Sequence, residues 1–203
     1  MLTAFTAGLL LITISELGDK TFFIAVILAM RHSRRLVFVG VLAALAAMTI
    51  LSVLVGQTLS LLPKVYIHYA AVALFFIFGA KLLYEGSQMP QQADCEQAEE
   101  ALSAVKEAEL KRQRPNWVGI LMEAFVLTFL AEWGDRTQIA TIALAAANNA
   151  FGVTAGAIAG HAISTVVAVV GGKAIAGRIS ERTVTMIGGG LFLLFGVIAL
   201  LEK

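Results

Sequence analysis

Two short charged segments of the sequence carry side chains that could bind a cation. Residues 16–21 read Glu-Leu-Gly-Asp-Lys-Thr, and residues 132–137 read Glu-Trp-Gly-Asp-Arg-Thr, 116 positions further along the chain. On a helix, the two acids of each segment are three residues apart and would share one face. Together the segments hold four acids and two cationic side chains, so their net charge of −2 matches one divalent cation.

The chemistry of these side chains indicates a metal site built from oxygen ligands. The predicted metal ligands are the four acids Glu16, Asp19, Glu132 and Asp135. An all-oxygen site suits hard or borderline cations such as Ca²⁺, Mn²⁺ and Mg²⁺, whereas Zn²⁺ and Cu⁺ prefer the Cys, His and Met side chains that both segments lack. Carboxylates in a partly desolvated cluster can bind either protons or a metal, which is the physical basis of cation–proton exchange.

Neighbouring residues in the two segments are expected to support this site. Thr21, Thr137 and Gln138 are expected to supply secondary oxygen ligands or to line the site. Lys20 and Arg136 are expected to balance the charge and to hold the acids in place when no cation is bound. Purely local ion pairing is the alternative interpretation, because each cation follows a glutamate by four residues, an i,i+4 spacing.

Four further polar residues fall within apolar stretches and are weaker candidates. Thr49 and Thr165 are related by the same offset of 116 and could line the site, or could bond to their own helices. His161 could relay protons or be a packed, hydrogen-bonded histidine. Glu123, nine residues before the second segment, could also relay protons by lining a vestibule, or it could lie at the membrane interface.

The composition places these segments in a membrane. Hydrophobic residues make up 59% of the 203 residues, charged residues only 14%, and the mean hydropathy is +0.84. These values exclude a disordered chain, a nucleic-acid-binding protein and almost any soluble enzyme. A single cysteine, Cys95, excludes an internal disulfide framework and a multi-cysteine metal site.

The elements that must position the acids are transmembrane helices. A membrane-spanning helix needs about 20 apolar residues. The hydrophobic pattern predicts an all-α polytopic protein with six spans, at about 3–30, 37–62, 66–84, 117–147, 152–176 and 184–201. The first and fourth are too long for one straight crossing, and each has a charged segment at its middle. We therefore expect both to be kinked or broken at mid-membrane.

The repeat extends beyond the charged segments and predicts two related halves. The offset of 116 also maps Gly40 to Gly156 and Gly56 to Gly172. The first three-helix repeat is expected over 1–84 and the second over 117–203. Because three spans are an odd number, the second half enters the membrane from the opposite side, an inverted repeat typical of secondary transporters. This symmetry would bring the two charged segments face to face near the midplane.

The linker and the termini are assigned to sides of the membrane by charge. The linker over 85–116 is expected to carry a helix within 92–112 and to be solvated. Ten basic residues fall on the linker side of the predicted spans, so that side should be cytoplasmic and both termini outside.

The paired segments resemble the signature E-Φ-G-D-(K/R)-(T/S) of the manganese/calcium–proton exchanger family of Golgi, chloroplast and bacterial membranes, within the lysine-exporter superfamily. Residues 16–21 and 132–137 fit it at every position, and the resemblance covers essentially the whole chain. It implies that the acids bind the transported cation, with Mn²⁺ favoured over Ca²⁺, and that the cation leaves the cytosol. The chain begins without the long N-terminal extension of plastid and Golgi members, so we expect a bacterial plasma membrane or a cyanobacterial thylakoid.

These observations predict a secondary transporter and not an enzyme. We expect exchange of a divalent cation for protons by alternating access, with the lipid bilayer and the metal ion as partners, no nucleic acid and no resident cofactor. An amino-acid exporter of the same superfamily is one alternative, although a site of net charge −2 suits a dication better than a zwitterion. An intramembrane aspartyl protease using Asp19 and Asp135 is another. The oligomeric state is left open.

Overall fold

The chain folds into a bundle of helices. The computed structural model describes residues 1–89, 96–111, 116–171 and 181–201, and all regular structure within these ranges is helical. The predicted all-α class is therefore confirmed. In chain order the α-helices are α1 (Leu2–Glu16), α2 (Lys20–Arg31), α3 (Arg34–Leu59), α4 (Lys64–Gln88), α5 (Glu96–Lys111), α6 (Trp117–Ala131), α7 (Arg136–Ala147), α8 (Ala150–Val166), which a π-helical turn (Val167–Gly171) extends, and α9 (Glu181–Leu201).

Four of the described helices are long and apolar enough to cross a membrane. They are α3, α4, α8 with its π-helical turn, and α9. Helices α6 and α7 pass the same test together, although they are bent by 75° at the break between them, and count as a fifth span if taken as one. The predicted first span over 3–30 consists of α1 and α2, each too short to cross alone.

Both motif helices are broken where the sequence predicted. Three residues separate α1 from α2, and four separate α6 from α7. Gly18 lies in the first break with φ +80°, and Gly134 in the second with φ +82°. No other described residue has a positive φ. A side chain would strain this left-handed backbone, so glycine is what allows the chain to leave one helix and enter the next.

Close helix packing surrounds the two breaks. α1 packs along α8, α6 packs along α3, and α4 packs along α9. The stripe of Gly152, Gly156 and Gly160 lies against α1 so tightly that a Cβ atom at Gly156 would collide with the Phe5 carbonyl oxygen. Such backbone contact is how small residues join membrane helices. It brings the end of α1, with Glu16, close to the middle of α8.

The linker helix is packed against the bundle. The helix predicted within 92–112 is observed as α5, but the expectation that this segment is a solvated linker is wrong for the described part. Ala101 and Val105 of α5 are fully buried in the same apolar cluster as Phe22 and Phe23 of α2. The hydrophobic effect therefore holds α5 along α2. Cys95 lies outside the described residues.

Candidate cation site

The helix breaks place the four acids at helix ends. Glu16 is the last residue of α1 and Asp19 is the N-cap of α2. Glu132 is the C-cap of α6 and Asp135 is the N-cap of α7. The acids of each motif therefore flank the predicted break instead of lying one turn apart on a continuous helix.

The structure brings the two motifs together. Arg136 donates from Nη2 to Oδ1 of Asp19 over 3.3 Å, across 117 residues of sequence. The Thr21 hydroxyl donates to Glu16 Oε2 over 3.1 Å. Glu16 in turn lies within electrostatic range of Glu132 and Asp135. The predicted convergence of the clusters is thus present in the fold.

Glu16 and Glu132 are buried carboxylates in matching environments. Their exposed fractions are 1% and 2%. The Oε2 atom of each accepts a threonine hydroxyl, from Thr21 at 3.1 Å and from Thr137 at 3.2 Å. The Oε1 atom of each is buried without a hydrogen-bond partner in the described chain. A buried polar atom left unbonded costs about 1–3 kcal/mol, so these two oxygens favour an added proton or cation.

The two basic side chains do not pair with the glutamates of their own motifs. Within the described residues, Lys20 pairs with Glu100 of α5 over 2.9 Å, and Arg136 pairs with Asp19 of the other motif. Local i,i+4 pairing therefore does not account for the charges. The structure instead places each cation beside an acid from a distant part of the chain.

A small cavity opens beside the second motif. It has room for about one water molecule and is lined by Leu45, Met48, Thr49, Ser52, Glu132, Thr137, Gln138, Thr141 and His161. His161 Nδ1 lies 3.7 Å from Glu16 Oε1, so this histidine lies between the cavity and the first motif. His161 is therefore at the site, although its counterpart in the repeat is Leu45.

Met48 is a site residue that the sequence analysis missed. Its sulfur accepts a hydrogen bond from Gln138 Nε2 over 3.3 Å, while Gln138 Oε1 accepts from the Gly134 amide over 2.8 Å. The offset of 116 pairs Met48 with the polar Ser164, which was an available signal. With His161 and Met48 beside the acids, the site includes nitrogen and sulfur atoms as well as oxygen.

Of the weaker candidates Thr49, Thr165 and Glu123, only Thr49 lines the cavity. Thr49 lines the cavity, but its hydroxyl donates to the Leu45 carbonyl over 2.9 Å. Thr165 donates to the His161 carbonyl over 2.7 Å and does not line the cavity. Both hydroxyl protons thus bond to their own helices. Glu123 is not part of this cavity and lies beside α5, as described below.

The carboxylates are near one another without forming a closed cage. Among the described residues, no three ligand atoms from the motif acids and His161 lie within 4.8 Å of one another. Asp135 Oδ2 accepts a hydrogen bond from the Thr137 amide at 3.3 Å. It also lies 3.0 Å from the Thr137 hydroxyl, whose single proton is shared between Asp135 and Glu132. Binding a dication would require the acids to move closer together.

The comparison with protein families decides what this site belongs to. The family model described as "Divalent cation/proton antiporter GDT1" matches residues 4–90 and 120–203, which include both motifs. The chain belongs to this family. The resemblance seen in the sequence is therefore confirmed, and the aspartyl protease alternative has no support, because the GDT1 family is one of antiporters and not of enzymes.

Individual relatives of the GDT1 family agree with this assignment. GDT1-like protein sll0615 from Synechocystis is 64% identical over 200 residues, covering 98% of this chain and 97% of that protein. GDT1-like protein 3 from Oryza sativa is 46% identical over 201 residues, covering 96% and 72%. The chloroplastic PAM71-homolog of Arabidopsis thaliana is 43% identical over 208 residues, and this chain spans 58% of its length. No solved structure matches the chain.

Proposed function

We propose that this protein exchanges Mn²⁺, and Ca²⁺ less well, for protons at one site formed by both motifs. The observation that carries the proposal is the pair of buried carboxylates, Glu16 and Glu132, each with one oxygen lacking a hydrogen bond. Each can be satisfied by a proton or by sharing a metal ion, and the two outcomes exclude one another. Asp19 and Asp135 complete the ligand set, with Thr21, Thr137 and Gln138 as further donors.

The mixed surroundings of the acids support Mn²⁺ over Ca²⁺. Ca²⁺ takes six to eight oxygen ligands, whereas the transition-metal dication Mn²⁺ combines carboxylate ligands with an imidazole more readily. His161 lies at the cavity, and an imidazole beside the carboxylates disfavours a purely oxygen-liganded ion. His161 is also placed to pass protons, since its Nδ1 atom is 3.7 Å from Glu16 Oε1.

We propose alternating access between two inverted three-helix halves, 1–84 and 117–203, with 85–116 as the segment between them. Matching helix lengths support the repeat: α1 and α6 have 15 residues each, and α2 and α7 have 12 each. The pairing of α1 with α8 and of α6 with α3 is the exchange that a two-fold relation would produce. Six crossings then require that each broken motif helix spans the membrane.

The proposed direction is export from the cytosol, with the α5 side cytoplasmic and both termini outside. The support is the excess of basic residues on the α5 side of the predicted spans. A plasma membrane or a thylakoid fits equally, and the similarity to a cyanobacterial protein is compatible with both.

Flux through the purified protein tests this function. Proteoliposomes should take up Mn²⁺, and Ca²⁺ more slowly, when a pH gradient is imposed. Glu16→Gln and Glu132→Gln should each abolish uptake while leaving insertion intact, and Glu99→Gln on the exposed face of α5 is the matched control. Uptake without proton coupling, or normal uptake by either site variant, would contradict the proposal. An absence of metal flux under any gradient would favour amino-acid export instead.

A further inference from the structure

Three side chains with metal-binding atoms meet at a place that the paired motifs do not use. They are His32, just after α2, Glu109 of α5 and Glu123 of α6. One ligand atom from each lies within 4.8 Å of the other two, and within the described residues no other three His, Cys, Asp or Glu residues do this. All three are partly buried, with 12% of the His32 side chain and 25% of the Glu109 side chain exposed.

The fold holds these side chains in place. The two ends of α5 pair with the two ends of α2, Glu100 with Lys20 and Glu109 with Arg31, so the helices run parallel. Glu109 accepts from Arg31 through Oε2, while its Oε1 atom lies 3.6 Å from His32 Nε2. With the apolar face of α5 buried as well, the three groups converge from packed helices and not from free loops.

The chemistry of the group matches a transition-metal dication. One imidazole and two carboxylates suit Mn²⁺, Fe²⁺ or Zn²⁺ better than Ca²⁺ or Mg²⁺, which favour oxygen. The carboxylates of Glu109 and Glu123 and the guanidinium of Arg31 have a net charge of −1, which favours binding of a cation. Two ligand atoms that are each about 2.1 Å from an ion, with a right angle between the two bonds, lie about 3 Å from each other. The ligand atoms of the three side chains lie within 4.8 Å of one another, so they would have to approach by less than about 2 Å to bind an ion.

We propose that His32, Glu109 and Glu123 form a second divalent transition-metal site, separate from the exchange site, and that the bound ion clamps α5 onto α2 and α6. The three ligands come from three different parts of the chain, so one ion joins the segment between the repeats to both halves. The alternative is a protonated His32 held between two acids by charge alone, which needs no metal.

Metal binding to the full-length protein in detergent tests the site. The background carries Glu16→Gln and Glu132→Gln, which remove the proposed exchange site. Titration with Mn²⁺ should still show a bound ion, with weaker binding of Ca²⁺. Adding His32→Asn or Glu123→Gln should weaken Mn²⁺ binding at least about tenfold, since even loss of an outer partner of a metal site costs about 10–100-fold. Adding Glu99→Gln, on the exposed face of α5, should change nothing.

Hydrogen exchange of residues 96–111 provides a second readout that does not depend on counting ions. Mn²⁺ should slow exchange in the background protein and not in the Glu123→Gln variant. A background protein that binds no ion, or binding unaffected by both His32→Asn and Glu123→Gln, would overturn the proposal in favour of the ion pair. Normal transport by the Glu16→Gln variant would instead refute the exchange site and leave this one standing.

Discussion

The two motifs have nearly the same sequence and the same local geometry, but they have different neighbours. In both, a glycine near φ +80° breaks the helix and a threonine hydroxyl bonds to a buried glutamate. Yet Gly18 is buried, whereas Gly134 is exposed with open space around it. Trp133 beside Gly134 is 65% exposed, while Leu17 beside Gly18 is partly covered.

The packing of the following helices accounts for this difference. α7, after the second motif, packs against α3 and α4 of the first half. α2, after the first motif, makes few contacts with α8 and packs mainly against α5. The cross-motif ion pair is also one-sided: Arg136 reaches Asp19, while Lys20 turns to Glu100 and not to Asp135.

A symmetric sequence in an asymmetric arrangement has a clear consequence under the proposed mechanism. The opposite state would be reached by exchanging the roles of the two halves, with Lys20 reaching Asp135 and releasing Glu100. The equivalent residues of the two motifs that have different contacts in this structure are then the residues whose contacts change during transport. Substitutions made in matched pairs, one per motif, test this comparison.

The largest effect is expected from the aspartates. Asp19→Asn and Asp135→Asn should each lower Mn²⁺ flux by at least about 100-fold, because loss of a ligand should cost more than loss of an outer partner. Only Asp19→Asn should also lower the melting temperature of the metal-free protein, since it leaves the partly buried Arg136 without its carboxylate. Asp135→Asn should leave the melting temperature unchanged, because an asparagine at position 135 can still cap the N-terminus of α7.

Flux in proteoliposomes and thermal unfolding in detergent measure the two effects separately. Equal melting temperatures for the two variants would show that the Arg136–Asp19 pair contributes nothing to the metal-free state. Normal flux in either variant would remove that aspartate from the site.

The next largest contrast is expected between the effects of replacing the two basic residues, Arg136 and Lys20. Arg136→Met should destabilise the metal-free protein by about 1.5–3 kcal/mol, the range for a hydrogen bond to a charged group, or roughly 3–12 °C in melting temperature. Lys20→Met should cost no more than about 1 kcal/mol, because the side chains of its pair with Glu100 are 34% and 51% exposed and the pair is therefore screened by solvent. Added Mn²⁺ should raise the melting temperature of the Arg136→Met protein more than that of the unsubstituted protein.

Melting curves with and without Mn²⁺ measure this difference. Both substitutions should be milder for flux than loss of an acid. A Lys20→Met protein that is folded but inactive would contradict the charge-balancing role.

The two glycines of the breaks should show a smaller contrast. Alanine at either position must take up a left-handed backbone at a cost of roughly 1–2 kcal/mol. Gly18→Ala should be the more harmful because its position is buried, whereas a Cβ atom at Gly134 meets nothing within 4 Å. Melting temperature and Mn²⁺ flux should rank the variants in this order, and the reverse order would show that the break at Gly134 is the one under tighter constraint.

The sequence alone predicted the helical class, the two breaks and the meeting of the motifs. These follow from strong local signals: apolar runs, a glycine beside charge, and a repeat at one offset. What the sequence could not supply was the asymmetry, because a repeat predicts equal halves.

The contacts that the sequence analysis missed depend on tertiary packing. Met48 is an apolar residue in an apolar helix, and only the approach of α7 to α3 puts its sulfur beside Gln138. Glu123 is expected at a vestibule or an interface, and nothing in the sequence indicates that Glu109 of α5 lies beside it. The linker was read as solvated because its mean composition is polar, although Ala101 and Val105 form a buried stripe.

The smallest expected effect tests the asymmetry most directly. Glu100→Gln removes the charge that pairs with Lys20 on α5 without replacing a residue of either motif. An exposed ion pair contributes about 0.2–1 kcal/mol, which shifts an equilibrium between two states by no more than about fivefold. If Lys20 must leave Glu100 to reach Asp135, the variant should populate the opposite state more and change the Mn²⁺ exchange rate by up to that factor. Accessibility of a cysteine placed at Trp133, whose side chain is exposed here, reports the state, in a background with Cys95 replaced by Ser. Glu99→Gln is the matched control, and equal labelling and flux in the two proteins would mean that α5 does not bias the motifs.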